Sequence, residues 1–154
     1  MSTRAIQYLK RKKIPFEVIR YEHAAKGARF AAGATGYPLE ATVKTLVVEL
    51  DAKHYCLVLM PGDKQLSMKL LAKACGVKRA AMVDIPTAER LTGYLVGGIS
   101  PFGIKKKIPV VMDEGVLAFD NILINAGQRG AMLMIDPADI KKALACKVAK
   151  VAGA

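Results

Sequence analysis

Two apolar runs separated by three residues constrain this chain more than any other feature. From Lys44 to Leu50 the side chains alternate: Leu46, Val48 and Leu50 point one way, Thr45, Val47 and Glu49 the other. A second run, His54 to Met60, follows after Asp51, Ala52 and Lys53. Two such runs across so short a turn predict a β-hairpin.

Helices and further strands surround that pair. Ser2 or Thr3 can cap a first helix that carries Ile6 and Leu9 on one face and ends before Pro15. Phe16 to Tyr21 alternates as a strand does. Residues 24–42, rich in Ala and Gly, read as a loop with short helices. Leu66, Leu70, Leu71 and Ala74 have helical spacing, and Gly76 stops that helix after Cys75. Arg79 to Val83 is a short strand, and Asp84 with Pro86 opens a helix through Leu91. Beyond a glycine-rich loop, strands are expected at Ile108 to Asp113, Asn121 to Asn125 and Ala131 to Ile135. Asp136 and Pro137 then open a last helix with Ile140, Leu144, Val148 and Val151 on one side. Hairpins mixed with helices give an α+β class with a mixed, largely antiparallel sheet. A strictly alternating βαβ order is absent, as are a GxGxxG after a strand and a Walker loop.

The 154 residues suit one domain spanning 1–154, and 53% apolar content excludes intrinsic disorder. Three cysteines, Cys56, Cys75 and Cys146, are odd in number and widely spaced, which predicts reduced thiols in a cytoplasmic protein rather than a disulfide scaffold. No apolar run approaches the roughly 18 residues of a spanning helix, so no membrane is expected as a partner. The basic residues of the N-terminus follow its short apolar patch, unlike a signal peptide.

Charge gives the first functional clue. Lys and Arg number 24 against 13 Asp and Glu, for a net charge of +11. The excess is clustered: Lys10 to Lys13, Lys105 to Lys107, and Lys141, Lys142, Lys147 and Lys150. Separated clusters on one small domain suit a phosphate backbone, although each could also be a solvated face. Aromatic residues are 6% and Trp is absent, which argues against a single-strand binder built on stacking.

Two features could carry chemistry. Lys44 shares the apolar side of its strand. Its amine either snorkels at the rim or sits in a cleft beside an anion. The stretch Thr92 to Gly103 holds Gly93, Gly97, Gly98 and Gly103, with Pro101 stiffening it. Such a loop is either a plain connection or a run of exposed N–H groups able to hold a phosphate or an oxyanion. Asn125 to Gly130 reads as a hairpin turn. His54 has no assigned role, the thiols and histidines lack zinc-ligand spacing, and no Ser/His/Asp set is evident. No metal and no cofactor are expected.

In order along the chain, Tyr21-Glu22-His23, Phe30, Val43-Lys44-Thr45-Leu46, Thr92 to Gly103, Lys105-Lys106-Lys107-Ile108-Pro109 with Asp113, and Ala126-Gly127-Gln128-Arg129-Gly130 form a set. That set resembles the YbaK family, free-standing relatives of the editing domain inserted in bacterial prolyl-tRNA synthetases. The likeness covers nearly the whole chain. It implies a barrel-like mixed sheet flanked by helices, and a cytoplasmic trans-editing deacylase that hydrolyses or otherwise cleaves the ester of a mischarged tRNA, most typically Cys-tRNA(Pro). A non-catalytic tRNA- or synthetase-binding module, or a deacylase for another small aminoacyl group, are the alternatives.

The resemblance places the essential lysine on Lys44 and the GxxxP loop on Gly97, Gly98, Ile99, Ser100 and Pro101. It places substrate-pocket positions on Tyr21, Phe30, Thr45, Asn125 and Gly127, with weaker tRNA contacts on Lys105, Lys106 and Lys107. It implies no protein nucleophile; the thiol of a cysteinyl substrate is the expected attacking group, a case where orientation supplies much of the acceleration. Expected partners are tRNA, with tRNA(Pro) foremost, and prolyl-tRNA synthetase. Where the YbaK branch often has Ser-Gly-Gly, this chain has Asn125-Ala126-Gly127. That departure leaves the amino acid open, since a small pocket discriminates one methylene by only about 1–3 kcal/mol.

Overall fold

A computed structural model describes residues 2–22 and 27–153. The expected hairpin forms: β2 (Val43–Leu50) pairs antiparallel with β3 (His54–Pro61), in a register that sets Leu46 opposite Val58 and Leu50 opposite His54. The turn between them holds Asp51 and Lys53 in the left-handed region, at φ 49° and 62°.

Short-range signals at the helix ends are met by side chains. The Thr3 hydroxyl accepts from the N–H of Ile6 and starts α1 (Arg4–Arg11), which buries Ala5, Ile6 and Leu9. Ser67 caps α3 (Met68–Cys75), and Gly76 ends it at φ 67°. Leu66, expected inside that helix, instead bridges Ala152. Asp84 caps α4 (Ile85–Thr92), which Gly93 ends at φ 80°. The Ala- and Gly-rich segment folds as α2 (Ala28–Thr35) and a 3-10 turn at Leu39–Ala41. His23, one of the residues in the resemblance, lies outside the described residues.

The remaining strands are β1 (Glu17–Arg20), β4 (Ala80–Met82), β5 (Val110–Asp113), β6 (Ile122–Gln128), β7 (Ala131–Ile135) and β8 (Lys147–Ala149). They form a five-stranded sheet in the order β4-β2-β3-β5-β8 and a three-stranded one in the order β1-β7-β6. All pairings are antiparallel except β3 with β5 and β5 with β8. The α+β class holds, but the sheet is not a closed barrel: two open sheets meet at a parallel bridge between Thr42 and Leu123.

The last expected helix is corrected. α5 (Pro137–Ala143), capped by Asp136, stops at Leu144, and Ala145 turns the chain at φ 48°. Val148 then lies in β8 beside β5, and the buried Asp113 carboxylate accepts from the N–H groups of Val151 and Ala152 at 2.9 Å each. A buried carboxylate with charge-assisted partners outweighs the weak helical preference of a Val-rich tail.

Alternation along β2 separates two cores. Val43 and Val47 join Leu57, Leu59, Leu91 and Phe102 on one side; Val48 and Leu50 join Val58, Met60, Leu71 and Val111 under α3 on the other. The outer edge of β2 is served by different strands at its two ends. Thr42 bridges β6, and β4 pairs only with Val48 to Leu50.

Candidate functional site

A cavity of about 370 Å³ opens between those two strands. Five consecutive residues, Val43 to Val47, line it. Neighbouring strand residues point to opposite faces, so all five can meet one cavity only if it lies beyond the strand's edge. Tyr21 and Met132 line it on one side with Gly27, Ala28 and Ala31 at the start of α2. Asn125, paired with Met132, lines it too, and the rest of the lining is Met82 and Val83, then Asp84, Ile85 and Ala88 of α4, and the loop residues Val96, Gly97 and Ile99. Met82 and Ile85 are 49% and 56% exposed, an apolar stretch of the lining open to solvent.

Lys44 is a half-buried cation of this cavity. Burial holds its ammonium below the usual lysine range; Asp63 pushes it back up, and the Arg29 guanidinium lowers it further. It forms no ion pair among the described residues. At α4, Asp84 lines the cavity with a carboxylate held below its usual range by hydrogen bonds from Thr87. The Thr45 hydroxyl is buried and finds no partner among the described residues.

The glycine loop is held from several directions. The Thr92 hydroxyl donates to Ala88 O at 2.8 Å and accepts from Tyr94 N–H. Tyr94, buried, donates its hydroxyl to Phe102 O, and burial pushes that phenol up to about 12. Glu89 Oε2 accepts from Val96 N–H at 2.9 Å. The β6–β7 hairpin supplies the rest. Asn125 Nδ2 donates to Gly97 O at 2.9 Å, while its Oδ1 accepts from the N–H groups of Gly127 and Gln128. Arg129 donates to Val96 O from Nε at 2.9 Å and from a terminal nitrogen at 2.6 Å. Gly98 is the contact point: a Cβ there would stand 3.1 Å from Gln128 Cα. Among the described residues, the N–H groups of Gly97 and Ile99 make no hydrogen bond, so the loop keeps donors beside the cavity.

The structure therefore brings Lys44, Thr45, Tyr21, Gly97, Ile99 and Asn125 to one cavity. The other expected site residues stand apart from it. Gly98 faces the hairpin, and Ser100 and Pro101 are buried behind the loop. Phe30 packs on Tyr21, ring centroids 6.3 Å apart. Gly127, at φ 96°, lies against Tyr94 and Thr3. Lys105, Lys106 and Lys107 are exposed and do not line the cavity. Sequence reasoning assigned no role to Glu89, and to Arg129 only a place in a turn and in the motif set of the resemblance. Their partners are main-chain atoms 7 and 33 residues away, a relation no local pattern encodes. Among the described residues no group of three His, Cys, Asp or Glu gathers to hold a metal, and no described helix is long and apolar enough to cross a membrane.

A cation, free main-chain donors and an apolar lining suit a ligand that is anionic at one end and carries a polar acyl bond. The aminoacyl-tRNA editing domain family matches residues 22–143. The chain is 32% identical over 139 residues to EbsC of Enterococcus faecalis, provisionally named a Cys-tRNA(Pro)/Cys-tRNA(Cys) deacylase, covering 88% of this chain and 84% of that protein. It is 27% identical over 140 residues to ProXp-y of Escherichia coli K12, named a multifunctional Ser/Thr-tRNA deacylase, covering 88% and 83%. A crystal structure of a protein provisionally described as a trans-editing enzyme for prolyl-tRNA synthetase shares the fold, with a TM-score of 0.89 at 22% identity over 98% of this chain and 96% of that one.

Proposed function

The chain belongs to the aminoacyl-tRNA editing domain family, and from that premise we propose that it removes a small, wrongly attached amino acid from tRNA, with Cys-tRNA(Pro) as the first candidate substrate. One observation carries the reading: Lys44 and the free donors of Gly97 and Ile99 border the same cavity. Lys44 neutralises and positions the phosphate-bearing 3′ end. The loop amides polarise the ester carbonyl and stabilise charge as it develops there, and one such donor is typically worth about 3–4 kcal/mol of barrier. For a cysteinyl ester, the substrate's own thiol attacks the carbonyl and expels the tRNA 3′ oxygen, an intramolecular step that needs orientation more than a protein base.

A second reading names seryl or threonyl esters. It rests on the likeness to ProXp-y and on Asn125, whose amide is committed to three main-chain groups. Asn125 then shapes the cavity without hydrogen-bonding the amino acid, and a hydroxyl side chain fits where a thiol does. Prolyl-tRNA synthetase is the proposed partner that supplies tRNA selectivity, in keeping with the name of a structural relative.

The test is a deacylation panel of tRNA(Pro) charged with Cys, Ser, Thr, Ala or Pro, run with wild type and Lys44→Ala. We expect turnover of at least one small mischarged ester. Lys44→Ala should lower kcat/KM by about 100-fold or more, equivalent to ~2.7 kcal/mol, with thermal unfolding unchanged. Normal turnover by a folded Lys44→Ala protein would remove Lys44 from the mechanism.

A further inference from the structure

The gap in the sheet beside β2 has an orientation that assigns it a ligand. In an antiparallel pair, opposed residues alternate between exchanging hydrogen bonds and turning their main-chain groups away. Leu57, opposite Val47, donates its N–H to Pro109 O at 2.9 Å, away from β2. Val47 correspondingly turns outward, and its carbonyl accepts from Val83 N–H at 3.3 Å. Thr45, opposite Leu59, stands two residues along and has the same orientation. Its N–H and C=O therefore leave the strand on the outer edge. The Val83 bond lies beyond the end of β4, and among the described residues the bridge to β6 is at Thr42. Between these two contacts lies the cavity, lined by Val43 to Val47.

We propose that Thr45 binds the aminoacyl unit as a one-residue strand: the substrate's α-amino group donates to Thr45 O, and its ester carbonyl accepts from Thr45 N–H. This rests on the deacylase reading and names the part of the substrate that is read. A strand edge offers one acceptor and one donor at fixed spacing, and it adds extended segments that carry the complementary pair. The H₃N⁺–CHR–C=O group of an aminoacyl ester is such a pair, whereas a simple acyl ester lacks its nitrogen half. Charge agrees with the placement. Asp84, on the β4 side of the cavity, attracts the ammonium, and Lys44 repels it toward that side while attracting phosphate. The site thus demands a free α-amino group in whatever amino acid it removes, and leaves the choice among side chains to the walls.

The test pairs each ester that the panel shows to be cleaved with its deamino analogue on the same tRNA: seryl against 3-hydroxypropionyl, or cysteinyl against 3-mercaptopropionyl. Enzymatic rates are divided by the spontaneous hydrolysis of the same ester, which removes the activation that an ammonium gives any ester. A hydrogen bond to a charged group is worth about 1.5–3 kcal/mol, so the corrected kcat/KM should fall about 10- to 100-fold without the amino group. A fall smaller than about 10-fold overturns the proposal while leaving the deacylase reading intact. Failure to cleave any aminoacyl ester overturns both.

Discussion

The two walls of the cavity are built on opposite plans. The α4 wall is fixed at nearly every joint: Asp84 caps the helix, Gly93 closes it, and Thr92, Glu89, Asn125 and Arg129 each bond the main chain around the glycine loop. The α2 wall begins at Gly27 with no side-chain cap and buries only Ala31 and Ala32, although Gly36 closes it at φ 75° as Gly93 closes α4. The difference separates two demands on one site. Donors that polarise a carbonyl act best when they need no reorganisation, whereas a wall that meets a variable amino-acid side chain gains from small residues and few constraints.

The largest test of that contrast is Gly127→Ala. Gly127 sits at φ 96°, and a Cβ there would come 2.7 Å from Tyr94 Cε1. Tyr94 is buried and bonded to Phe102 O, so it has no free direction in which to move. Strain of this kind costs about 1–3 kcal/mol, readable by urea unfolding. Displacement of Tyr94 should also lower kcat about tenfold or more, a barrier increase of ~1.4 kcal/mol. A destabilised variant with an unchanged kcat would break the contrast, because the fixed wall would then be fixed for stability alone.

Arg129→Met is smaller and cleaner. It keeps much of the apolar stem and deletes both N–H bonds to Val96 O. The stability cost should be about 0.5–1.5 kcal/mol, and kcat should fall several-fold with KM for tRNA little changed. Arg129→Lys separates geometry from charge, since lysine keeps the cation but not the two-pronged donor. If the lysine variant restores kcat, Arg129 acts through its charge and the clamp is not what positions the loop.

What the sequence disclosed follows the range of the interactions. The hairpin and the caps at Thr3, Asp84 and Asp136 depend on residues a few positions apart, and alternation or a single side chain announces them. Lys44 and the glycine loop were legible as chemistry, but not their shared cavity, which depends on where β4 and β6 leave β2. The error at the C-terminus has the same origin. Ile140, Leu144, Val148 and Val151 keep a helix-like spacing, yet β8 is parallel to β5, and the Asp113 carboxylate that holds Val151 and Ala152 lies 38 and 39 residues earlier. The barrel-like mixed sheet was legible, but nothing local says that its two parts touch at Thr42 and Leu123 without closing.

The smallest effect sharpens the contrast from the other wall. Gly33 lies inside α2 on its exposed face, at an ordinary helical conformation, and a Cβ there would meet nothing within 4 Å. It does not line the cavity. Gly33→Ala removes freedom from the unfolded chain and favours the helix by about 0.5–1 kcal/mol. For a chain of this length that should raise Tm by about 1–4 °C. If α2 is only a passive wall, deacylation rates and the ranking of aminoacyl substrates should not change. If the more stable helix instead slows turnover or narrows the substrate range, α2 must yield when substrate enters, and its uncapped N-terminus then belongs to the way the site admits amino acids of different size.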